Sequence, residues 1–175
     1  MPATIQEVFA SKMKHKEQVT LLTGLAKNDP AALEQLFDYL QTGSAVEKGT
    51  AAEVMKFVSK EDPALMLPYV DALIEHITDK VPRVRWGCPE SLGNMAQNYP
   101  DPVGRAVPDL LANLKDPSTV VRWCAAYALA EIARHNLEKQ PELTGLFQQF
   151  IETEPNNGVR NVYIIALKEI KKAHR

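Results

Sequence analysis

The strongest constraint on this sequence is an internal repeat. Three segments align: Asp79-Lys80-Val81-Pro82-Arg83-Val84-Arg85-Trp86, Asp116-Pro117-Ser118-Thr119-Val120-Val121-Arg122-Trp123 and Glu154-Pro155-Asn156-Asn157-Gly158-Val159-Arg160-Asn161. In each, an acid stands six residues before the arginine of a Val-Arg pair. Apolar residues follow eight and eleven positions after the valine: Leu92 and Met95, Leu129 and Ile132, Leu167 and Ile170. A weaker copy starts at Val46, with Val54 and Phe57 downstream and Glu47 in place of the arginine. The valines at 46, 84, 121 and 159 set a period of 37 to 38 residues. A period of this length is the mark of a stacked array, in which one unit cannot bury its apolar face alone.

Each period holds two helical patterns. Ala125, Ala128, Leu129 and Ile132 line one face of a helix opened by Pro117-Ser118, and Leu110, Leu111 and Leu114 follow Pro108 on another. First helices are expected near 14–27, 45–60, 82–98, 118–135 and 157–173. Second helices are expected near 30–41, 63–78, 102–115 and 141–153, with a short helix from Thr4 to about Lys12 at the start. Pro89, at the position that Ala126 takes one repeat later, should kink its helix. The 175 residues thus read as one all-α domain, a right-handed α-α superhelix of about four and a half helix pairs. The repeats run approximately 1–43, 44–80, 81–117 and 118–155, with a half repeat at 156–175.

The same residues resemble the HEAT-repeat family, with its acid, turn, Val-Arg and small-residue helix. The match is good over 79–98, 116–135 and 154–172, and looser over 42–60. The resemblance implies a ladder between neighbouring repeats, built from Asp79, Asp116 and Glu154 with Arg85, Arg122 and Arg160. Glu47 stands where the first rung would need an arginine. It also implies that the second helices line the concave side of the array.

Little points to catalysis. There is no Gly-rich phosphate loop. The four histidines are dispersed, and Cys88 and Cys124 lack metal-ligand spacing, so neither a metal nor a cofactor is expected. Both cysteines fit as packing thiols. No stretch approaches the roughly 20 apolar residues of a membrane helix. Without a signal-like start or a disulfide scaffold, the cytoplasm is the expected compartment.

The polar side of the first helices is more informative. At 100° per residue from Ala125, Trp123 falls near about 160°, Tyr127 near about 200° and Arg134 near about 180°, away from the core. Trp86 shares the repeat position of Trp123, and Ile165 that of Tyr127. Trp86, Trp123, Tyr127 and Arg134 therefore form a candidate binding ridge, since Trp, Tyr and Arg are enriched at binding hot spots. An equally open reading lays the tryptophans across the grooves between helices, sealing the stack.

The net charge of −2 conceals a segregation. Acids gather on the second helices, with Asp71 and Glu75 at the centre of a candidate groove for a basic peptide or protein. Such a surface disfavours a phosphate backbone. The last helix is apolar almost all round, which offers a surface for self-association or a partner. The leading expectation is a non-enzymatic protein- or peptide-binding scaffold. Two alternatives come from resemblance. One is a DNA-alkylation-repeat glycosylase, with Glu90 as the carboxylate and Arg122 or Arg160 on phosphate. The other is a lyase-like chromophore chaperone.

Overall fold

The computed structural model describes residues 3–175. Among them the regular elements are all helices, and many start where local chemistry favours it. Thr4 and Glu7 make a reciprocal capping box for α1 (Ile5–Ala10). His15–Asn28 forms α2, and Asp29 caps α3 (Pro30–Thr42), whose first residue is a proline that has no amide hydrogen to lose. Ser44 and Glu47 make a second capping box on α4 (Ala45–Glu61). Three later first helices follow: α7 (Pro82–Met95), α10 (Thr119–His135) and α12 (Asn157–Ala173). Ser118 caps α10 and Asn156 caps α12.

Two second helices are broken where the sequence pattern predicts continuity. The stretch expected as 63–78 divides into α5 (Pro63–Met66), a 3₁₀ turn (Leu67–Tyr69) and α6 (Val70–Glu75). Pro68 cannot donate to the carbonyl four residues back, so the ladder restarts there. The stretch expected as 102–115 divides into α8 (Pro100–Gly104) and α9 (Val107–Asn113), with Pro108 opening the second piece. The last second helix, α11 (Gln140–Thr153), is unbroken. Pro89 behaves differently: α7 runs through it as one helix, with the proline buried.

The stack is built on its first helices. Helix α2 packs on α4, α4 on α7, α7 on α10 and α10 on α12, while each second helix meets the first helices of its own and the following repeat. No two second helices approach one another as closely. Small residues permit the tight layer. A Cβ on Gly87 would lie 2.5 Å from the carbonyl oxygen of Ala52, and one on Gly93 would lie 2.6 Å from the Tyr127 ring. In a curved stack the closer-spaced layer lies on the inside. The first helices therefore form the inner layer, and the expectation that the second helices line the concave side is corrected.

One continuous core runs between the layers, from Ile5 and Val8 through Leu92 and Leu129 to Phe147, Tyr163 and Ile170. The end formed by α12 is distinct. Inner repeats bury Gly93 and Ala130, then Ala96 and Ala133, and Gly93 lies against Tyr127 and Ala128 of the following first helix. The equivalent residues of α12 are Lys168 and Lys171, both exposed. Ile164 and Ile165, at 36% and 49% exposure, share that outer side. The helix is thus buried on one face through Val159, Tyr163, Ala166 and Ile170, not all round.

Candidate functional site on the inner face

The arginines of the repeat reach between units, but unequally. Arg122 grips Glu154 with two donors, Nε at 3.0 Å and Nη2 at 3.2 Å, while Nη1 donates to the carbonyls of Asp116 and Pro117. Arg85 repeats the backbone contacts, to the carbonyls of Asp79 and Lys80. Its Nε lies 3.3 Å from Asp116 Oδ2, yet this buried N–H is not aimed at an acceptor. Arg160 turns to Asn157 within its own helix. The Asp79 carboxylate meets no arginine among the described residues: it accepts from Val81 N–H and pairs with His76 Nδ1 at 2.9 Å. Glu47 is occupied in the cap of α4. Burial opposes ionisation of Asp79, but those hydrogen bonds and nearby Lys48 outweigh it and hold the carboxyl below its usual range.

The expected ridge separates into parts with different surroundings. Trp123 is 38% exposed and stacks parallel on Tyr127, with ring centroids 5.6 Å apart. Tyr127 itself leans into the seam over Gly93 and donates to Asn94 Oδ1 at 2.6 Å. Burial, with Glu131 and Glu90 nearby, raises its hydroxyl to about 12, so it remains a donor. Trp86 is half-buried, and its indole N–H is closed off without an acceptor. Arg134 is held by Glu131 and Glu169, each at 2.5 Å.

Between α4, α7 and α10 the inner face opens into a cleft of about 250 Å³ lined by Glu53, Lys56, Arg83, Trp86, Glu90 and Val120. Arg83 reaches Glu53 at 2.7 Å, and His15 of α2 reaches the same oxygen at 2.7 Å, tying three successive first helices. Burial raises the carboxyl of Glu53, yet these two partners lower it further, leaving it below its usual range.

The two acids expected at the centre of a groove, Asp71 and Glu75, stand one turn apart on α6. Asp71 lies on the outer layer, exposed and paired with Arg105 at 2.7 Å, and Glu75 is exposed on the same short helix. The sequence pattern missed the side-chain amides that join repeats. Asn94 donates to Lys56 O and Ser59 Oγ, Asn113 to Ile77 O, and Asn136 to Pro100 O. Their separations of about one period were the available signal.

Cys88 and Cys124 are both buried, and burial pushes both thiols up, aided at Cys124 by the charge of Glu90. Among the described residues no group of three His, Cys, Asp or Glu is placed to hold a metal ion. No described helix is long and apolar enough to cross a membrane.

This architecture defines an α-helical repeat solenoid. A family model described as HEAT repeats matches residues 70–168, and the chain belongs to that family. No curated protein matches the sequence. Among solved structures, an engineered protein superposes with a TM-score of 0.71 at 18% identity, covering 96% of this chain and 79% of that one. A designed armadillo repeat protein gives 0.68 at 17% identity, with coverage of 95% and 80%. Another, in complex with the peptide (KR)4, gives 0.67 at 15% identity, with coverage of 97% and 87%. At these identities the likeness concerns the fold.

Proposed function

We propose that this protein is a non-enzymatic scaffold that binds a protein or peptide along the inner face of its first helices. The observation that carries the reading is the exposed Trp123, stacked on an anchored Tyr127 beside the Trp86 cleft. An aromatic held rigid by its neighbour loses little freedom on binding and presents a large apolar area. A peptide is also the class of partner carried by one designed structural neighbour. A nucleic-acid partner fits less well, because Arg83 and Arg134 of this face are held by carboxylates and Arg122, a candidate phosphate ligand, is committed to Glu154. Self-association through α12 would bring Lys168 and Lys171 of two copies together, and a sedimentation run at high micromolar concentration reads it directly.

The test is affinity capture with wild-type protein beside Trp123→Ala, followed by titration of whatever is recovered. Loss of about 2 kcal/mol or more is expected at a hot spot of this kind. An unchanged affinity removes Trp123 from the site.

A further inference from the structure

Four carboxylates of the first helices have cations within salt-bridge distance. Glu53 has Arg83 and His15, Glu61 has Lys27, Glu131 has Arg134 and His135, and Glu169 has Arg134. Glu90 has none among the described residues. Its partner is the thiol of Cys124, which donates across 3.4 Å. A thiol is a weak donor, so a half-buried carboxylate is left with poor compensation for its lost hydration.

The repeat explains how this arises. Arg83 of α7 crosses to Glu53 of α4, its side chain passing over Gly49 one turn earlier. One repeat on, the position of Arg83 is taken by Val120, which is 48% exposed. Glu90 falls one residue short of the position equivalent to Glu53, and one turn before it stands Trp86. The register that gives Glu53 a guanidinium therefore gives Glu90 a valine and an indole wall, in the same cleft.

We propose that this cleft binds an arginine side chain of the partner, its guanidinium laid against the Trp86 indole and paired with Glu90. The inference rests on the inner face being the binding surface and adds the chemistry of one residue to it. Arginine suits the site better than lysine, because a planar, weakly hydrated guanidinium stacks on an indole while still bonding a carboxylate. Arg83 does not compete, since Glu53 neutralises it. Lys56 is the opposing element. Its ammonium lies 4.7 Å from the Phe57 ring centroid and has no carboxylate within salt-bridge distance among the described residues, so it repels an incoming cation.

The test titrates the full chain with octa-arginine at low ionic strength, following tryptophan fluorescence, with octalysine and octaglutamate as controls. Octa-arginine should bind more tightly than octalysine. Glu90→Gln should weaken it at least about threefold. Glu131→Gln, which changes net charge equally but removes an already paired carboxylate, should change it less than about twofold. Lys56→Met should tighten binding. Val120→Arg, which supplies the guanidinium from within the chain, should block the response and raise the thermal midpoint.

Equal losses in Glu90→Gln and Glu131→Gln signify general charge attraction and overturn the proposal. So does a Val120→Arg protein that is folded by circular dichroism and binds as wild type does. If Trp123→Ala abolishes partner binding while Glu90→Gln leaves octa-arginine unaffected, the arginine site falls and the binding face stands. The converse result retains the site and removes Trp123 from the face.

Discussion

Trp86 and Trp123 stand at the same position of successive repeats, yet one is enclosed beside a cleft and the other presents its ring to solvent. The helices that carry them are similar, so the difference comes from the helix that follows each. Beside Trp86 comes α10, with Val120 lining the same cleft. Beside Trp123 comes α12, where the residue equivalent to Val120 is Gly158, which has no side chain to lay over the indole. The two ladder rungs differ for a related reason. Glu154 is one methylene longer than Asp116 and takes the fork of Arg122 with both oxygens, whereas Asp116 leaves Arg85 Nε without an aligned acceptor. In a repeat array, then, the chemistry of a position is completed by its neighbour.

The α4–α7 seam offers the largest test of this dependence. Gly87→Ala gains roughly 1 kcal/mol of helix propensity but drives a Cβ into the backbone carbonyl of Ala52. A backbone atom cannot rotate away, so a net loss of about 2 kcal/mol is expected in urea denaturation. A neutral or stabilising result would mean that the seam can slide.

Next come the rungs. Glu154→Gln should cost about 2 kcal/mol, because it leaves the half-buried Arg122 without its carboxylate. Asp116→Asn should cost about 1 kcal/mol or less, since that contact is already incomplete. Equal costs would erase the distinction between the two interfaces.

Smaller again is Tyr127→Phe, expected to cost about 1 kcal/mol through the unpaired Asn94 oxygen. It should also loosen the stack that holds Trp123, visible as a change in its fluorescence. The smallest effect belongs to Asp79. Its carboxyl is held below the unfolded value of about 3.9, so its contribution is complete above that pH and is lost as pH falls through the folded value. Asp79→Asn should therefore lower stability slightly at pH 6, where that contribution is complete, and flatten the acid limb, so that variant and wild type converge as pH falls below about 4.

The stacking and most helix starts were legible because they depend on residues close in sequence: Ser118 before Val121, Asn156 before Val159, Pro30 after Asp29. The first helices were also assigned to within a few residues. The breaks at Pro68 and Pro108 were missed, although the prolines were in view, because Leu110 and Leu111 continue the apolar pattern across the break. The site was less legible. The positions of Trp86 and Trp123 set the side of the helix but not exposure, which depends on Val120 and Gly158 one repeat away. Which layer faces inward was hidden too, because it depends on how closely Gly87 and Gly93 let their neighbours approach.

The lysines on the outer side of α12 bear on how such an array could change length. An interior pair duplicated between α7 and α10 would meet glycine and alanine on both sides and could settle into the existing spacing. The same pair appended beyond α12 would meet Lys168 and Lys171 and would require their replacement first. Growth by insertion is therefore the shorter mutational path, and a lengthened relative should carry its new repeats in the middle of the sequence.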